Sequence, residues 1–153
     1  MAIENLKERL VKQVEAYLSS NKWHFKHDDR RSVFNMGFSL KNKLESAQAS
    51  IICRDTGVSF WFHIPAKPQK KTVQATMEFL MRANSGLING AFEMDLDDNE
   101  ILFNIFLPCD NVPSTALIDA QVDTGLATLE LLGDELFSVL SGKKHPGGKK
   151  LDD

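Results

Sequence analysis

The run Asp95-Leu96-Asp97-Asp98-Asn99-Glu100 is dense in oxygen donors, and acidic or amide side chains at its first, third and fifth positions match the opening of a calcium loop. The match then stops. A sixth position that needs glycine for its turn holds Glu100, and a twelfth that needs a bidentate glutamate holds Phe106. The run reads better as a polar β-turn. His24, His27, Asp28 and Asp29 offer metal ligands close together. A zinc site, however, needs three or four converging groups held by outer hydrogen bonds, and nothing else in the sequence is aimed there. Cys53 and Cys109 would act as nucleophiles only beside a histidine in an electropositive setting. His63 is the histidine a strand pairing could bring near Cys53, with parity and register left open. The chain carries no G-x-S-x-G elbow, no phosphate-binding Gly-rich loop, no dinucleotide fingerprint, no H-E-x-x-H and no C-x-x-C. We therefore assign no catalytic, cofactor-binding or metal-binding residue and expect a non-enzymatic protein.

Composition narrows the classes further. The 153 residues suit one domain with one core, and 42% hydrophobic with 25% charged residues is ordinary for a globular chain. A net charge of −3 gives no electrostatic argument for nucleic acid or anionic lipid, and neither is expected as a partner. The two basic runs, Lys67 to Lys71 and Gly142 to Lys150, are short and interrupted. No window approaches the ~20 apolar residues of a membrane span. The opening MAIENLKERLVKQ is amphipathic and partly acidic, unlike an export or transit signal. Together with two distant cysteines, this leads us to expect a cytoplasmic protein with reduced thiols.

The elements that must position these residues follow from periodicity. Ile3, Leu6, Leu10, Val14 and Tyr17/Leu18 make the stripe of a first helix ending at Ser19-Ser20-Asn21. Trp23 and Phe25 then alternate with His24 and Lys26, as a short strand or an extended arm. Three runs, Val33 to Leu40, Ala47 to Cys53 and Val58 to Ile64, form an antiparallel meander whose second turn is Arg54-Asp55-Thr56-Gly57. A second helix spans about Lys71 to Asn84, and Gly86 is expected to end it with a positive φ. A hairpin follows, with Ile101, Phe103, Ile105 and Leu107 alternating strictly on its return. Asn111, Pro113 and Ser114 announce a last helix to Leu140, stopped by Gly142. The predicted order is α-β-β-β-α-β-β-α: an α+β fold with an antiparallel five-stranded sheet and its helices packed on one face. Residues 1–142 form a single domain and 143–153 a disordered tail.

One feature breaks the simple alternation. Val58, Phe60, Phe62 and Ile64 point to the helices, yet Trp61 points the other way. Leu102 and Phe106 likewise oppose the inward face of the last strand. Either a partner or second copy covers Trp61, Leu102 and Phe106, or a helix or the N-terminal arm of the chain itself does.

Phe79 to Asp95, FLMRANSGLINGAFEMD, resembles the signature segment of the YbjN family, bacterial proteins described as sensory-transduction regulators. The matching positions are Leu80, Asn84, Gly86, Leu87, Gly90, Phe92, Glu93 and Asp95, with the acidic turn after them. Met81 and Ser85 depart from the pattern, standing where many members carry an asparagine and an aromatic residue. The element order is also similar to that of class I type III secretion chaperones. The resemblance implies a bacterial, intracellular, homodimeric protein that works by contact with an unidentified partner protein, by apolar contact or by strand addition to an open edge. It implies structural roles for Asn84, Gly86, Gly90, Phe92, Glu93 and Asp95. A dedicated chaperone for one exported client is the alternative, and a small-ligand binder or enzyme built around His63, Cys53 or the His24–Asp29 group a further one.

Overall fold

The computed structural model describes residues 3–147. Helix α1 (Leu6–Ser20) begins in a reciprocal cap: the Asn5 side chain accepts from the Glu8 N–H, and the Glu8 carboxylate accepts from the Asn5 N–H. Strands β1 (Lys26–Asp28), β2 (Val33–Ser39), β3 (Ser46–Arg54) and β4 (Gly57–His63) follow as a meander. A 3₁₀ turn leads into α2 (Val73–Ser85), then come the hairpin β5 (Ala91–Met94) and β6 (Ile101–Pro108), and the long α3 (Thr115–Leu140). The sheet has six antiparallel strands in the order β1-β2-β3-β4-β6-β5.

Burial alternates along β2, β3 and β6, while in β4 the stretch Gly57–Phe60 is buried on both faces. Phe34, Met36 and Phe38 of β2, Ile51 and Cys53 of β3, Phe60 and Phe62 of β4 and Phe103 and Ile105 of β6 are all buried. They meet the stripes Leu10–Val14–Tyr17 of α1, Phe79–Leu80 of α2 and Ile118–Val122–Leu129–Leu136 of α3 in one core. The helices thus cover one face of the sheet, as period-2 strands and period-3.6 helices require. Where α3 crosses β4, Gly125 lets the helix backbone settle onto the Phe62 ring; a Cβ there would stand 2.2 Å from two ring carbons. The β2–β3 loop is tied to the same helix. The Lys41 and Lys43 N–H groups donate to the carboxylates of Glu130 and Asp134, and Asn42 Nδ2 donates to the Leu129 carbonyl.

Two expectations, the strand number and the end of α2, are corrected. The sheet has six strands rather than five, because Lys26–Asp28 adds to the edge of β2. Phe25 and His27 pack their rings on Phe34 there, with centroids 5.7 and 4.1 Å away. Three residues hold too little alternation to separate such a strand from an arm. Gly86 ends α2 at φ −98°, its N–H donating to the Ala83 carbonyl, with no left-handed turn. The positive φ lies at Gly90 (83°), where a Cβ would come within 2.5 Å of Phe103 Cζ. The tail expected to be disordered from Lys143 is placed as far as Gly147. The Lys143 N–H donates to Ser138, Lys144 Nζ reaches Glu135 at 2.7 Å, and Pro146 is buried. Residues 148–153 of that expectation lie outside the described residues.

Candidate interaction face and its family

The face of the sheet turned away from the helices is built from the other parity of every strand. Its central row runs Lys26, Asn35, Ser50, Trp61, Asn104 and Ala91 across the six strands. A second row runs Gly37, Gln48, His63, Leu102 and Glu93; a third runs Val33, Ile52, Ser59 and Phe106. Trp61, Leu102 and Phe106 therefore share one bare face, on neighbouring strands β4 and β6. Their exposure differs. Phe106 is 45% exposed, while Trp61 and Leu102 are half-buried among polar neighbours. The Arg54 guanidinium lies 5.8 Å from the centre of the Trp61 ring and is anchored by a bond to Ser59 Oγ at 2.8 Å. Beside Trp61 opens a hollow of about 310 Å3, lined by Asp28, Arg31, Asn35, Ser50, Trp61 and His63 among others. The Trp61 Nε1 donor has no partner among the described residues.

Register brings together a polar chain that spacing alone does not reveal. Glu100 Oε1 lies 3.0 Å from His63 Nδ1, His63 Nε2 lies 3.3 Å from Ser50 Oγ, and Ser50 donates to Asn35 Oδ1 at 2.8 Å. Carboxylate, imidazole and hydroxyl in this order resemble an acyl-transfer relay. Asn35 Oδ1, however, lies nearer to Ser50 Oγ than the imidazole does and competes for its proton. Within β3, moreover, pairing with β2 and β4 uses the backbone N–H groups that would have to stabilise an oxyanion. The chain acts as a brace that fixes the polar side of the bare face.

The remaining candidates do not converge. His63 is on the bare face and Cys53 on the covered one, so the two cannot form a nucleophile–base pair. His27 stacks on Phe34 and meets Asp29 at 3.1 Å, while His24 lies beside Met36 and Gln48. Burial pushes the Cys53 thiol up from its ordinary value near 9 to about 12, which leaves no thiolate at neutral pH. Burial, and then the hydrogen bond of its hydroxyl to Asp119, also hold the Tyr17 phenol well above the usual range.

The folded protein keeps the Cys53 proton that the unfolded chain releases above pH 9. Stability is therefore full below that pH and falls as pH rises toward 12. Urea midpoints should drop between pH 8 and 10.5, and Cys53→Ala should drop less than the wild type. Equal losses would show that burial does not perturb the thiol.

The match to a family model runs over residues 10–138, from α1 through most of α3, and its description is "YbjN: Putative bacterial sensory transduction regulator". The chain belongs to the YbjN family. Among solved structures, the "Crystal structure of YbjN, a putative transcription regulator from E. coli" superposes with a TM-score of 0.64 at 11% identity, covering 84% of this chain and 91% of that one. At that identity the likeness is one of fold. A search of curated proteins finds no match.

The residues that carry the YbjN resemblance fall at the end of α2, in the loop after it and in and just after β5. Asn84 reaches across from the helix: its Oδ1 accepts from the Phe92 N–H at 2.7 Å and its Nδ2 donates to the Phe92 carbonyl at 3.1 Å. The side chain takes the place of a neighbouring strand and covers the edge of β5 at Phe92. An added strand would find the Phe92 peptide groups already bonded, which the sequence does not disclose. Phe92 itself is buried against Phe103, with ring centroids 5.0 Å apart. Glu93 accepts from Asn104 Nδ2 on the bare face. Asp95 begins the turn: its carboxylate accepts from the Asp97 N–H, its carbonyl from the Asn99 N–H, and Asn99 takes φ 62°. In this YbjN chain the acidic turn uses its first oxygens to hold its own backbone.

Proposed function

We propose that the protein is a non-enzymatic regulatory module that holds another polypeptide against the bare face of its sheet, centred on Trp61, Leu102 and Phe106. The observation that carries this reading is the one-sided cover. Three helices pack on one face, and the other presents an exposed phenylalanine beside two half-buried apolar side chains, rimmed by Asn35, Gln48, His63, Asn104 and Glu93. An apolar centre with a polar rim is the anatomy of a protein contact. The family's description as a sensory transduction regulator supports a regulatory role. No helix among the described residues is long and apolar enough to cross a membrane. Free Cys53 and Cys109 agree with a reducing, cytoplasmic setting. A second copy of the chain is one occupant of the face, so homodimerisation belongs to the same reading. The experiment is photo-crosslinking from position 106 in host cells, where the mass of the adduct distinguishes a second copy from a different protein.

A further inference from the structure

Apart from the Trp61 face, an apolar groove runs between α2 and β5. Its volume is about 200 Å3, and Met77, Met81, Met94, Leu80 and Leu96 line it. Three of the chain's five methionines meet there. Met81 is 73% exposed, Leu96 64% and Met77 42%, so the groove is open to a partner. Methionine is unbranched and polarisable, and its side chain adapts to apolar surfaces of differing shape.

We propose that this groove docks a cationic amphipathic helix. The backbone decides between helix and strand. The Phe92 N–H and C=O, which an incoming strand would have to pair with, are both taken by the Asn84 amide. An extended segment would find its own peptide groups unpaired beside them, whereas a helix arrives with its backbone bonds made. Charge decides the polar side. Asp95, Asp97 and Asp98 stand exposed on the turn next to Leu96, and none of them is in an ion pair among the described residues. The carboxylates of Asp95 and Asp98 accept only from backbone N–H groups of the turn. On the α2 side Glu78 is already matched by Arg82 at 3.2 Å. The net demand of the rim is positive. A second copy fits poorly, because a two-fold contact sets the same surface against itself and brings a second set of aspartates to the rim.

The test uses a fluorescein-labelled Leu–Lys peptide of about five helical turns, patterned with leucine at i, i+3, i+4 and i+7. Two controls accompany it: a peptide of the same composition alternating in strand fashion, and a Leu–Glu helix. Fluorescence anisotropy should report binding of the Leu–Lys helix alone. Met77→Ser with Met81→Ser should weaken it by about tenfold or more. Asp97→Asn with Asp98→Asn should weaken it several-fold and reduce its salt dependence. Both double variants alter exposed side chains, so their melting curves should stay within a few degrees of the wild type. Phe106→Ser should leave the affinity unchanged. Equal binding of the strand-patterned peptide, affinity indifferent to the methionine variants, or a dimer that dissociates on Met81→Ser would each overturn the proposal.

Discussion

Gly125→Ala lowers the stability of the protein by about 2–3 kcal/mol, a cost of forcing a methyl into a filled core, and its Tm by about 5–10 °C for a domain of this size. The effect comes from one contact. The added Cβ would lie 2.2 Å from both Cε2 and Cζ of Phe62, where atoms never sit. The ring has little room to yield. Phe62 is 1% exposed and sits beside Phe103, with ring centroids 6.4 Å apart. Either α3 rides up from the sheet or Phe62 leaves its rotamer, and both disturb packing close to that of a crystal. A mid-helix glycine is usually a liability, worth about 1 kcal/mol against alanine. Here the sign reverses because the helix must approach β4. Phe62→Leu in the same background should recover part of the loss, with a coupling of about 1 kcal/mol or more. Urea denaturation of the two single variants and the double variant measures it. A neutral alanine, or strictly additive losses, would show that α3 and β4 are not in this contact.

Asn84→Ala is expected to cost about 1–2 kcal/mol, because one donor and one acceptor of Phe92 lose their partners at a partly buried edge. Asn84→Asp should fall between alanine and wild type, since a carboxylate still accepts from the Phe92 N–H but donates nothing to its carbonyl. The same change uncovers the edge of β5, so the alanine variant should also aggregate faster on warming. Amide hydrogen exchange at Phe92 is the local readout. It should speed up in the alanine variant and less so in the aspartate variant. Unchanged exchange at Phe92 would mean that the Asn84 amide does not hold that strand edge.

These two residues also mark how far the sequence could be read. The strict alternation of Ile101, Phe103, Ile105 and Leu107 and the stripes of α1 and α3 are strong periodic signals, and the helices and the longer strands lie where those signals put them. The small β1 escapes because three residues cannot show a period. A left-handed turn at Gly86 is the natural expectation, because glycine after a helix usually serves there. The chain instead continues near the helical region and turns at Gly90. Asn84 looks like a helix brace in one dimension; only the approach of β5 to α2 turns it into an edge cover. The bare face was partly legible. Parity places Trp61, Leu102 and Phe106 together, but the polar row through Asn35, Ser50 and Asn104 appears only once the register is known. The patch is consequently narrower than three large apolar residues suggest, with Phe106 its one widely exposed member.

The most direct test of partner capture on the bare face is photo-crosslinking from a benzoylphenylalanine placed at position 106 in host cells. Leu131, 79% exposed on α3, provides the control position. A discrete adduct from position 106, absent from position 131 and lost when Trp61→Ser is added, is the predicted result. No adduct from position 106, or the same adducts from both positions, would contradict it.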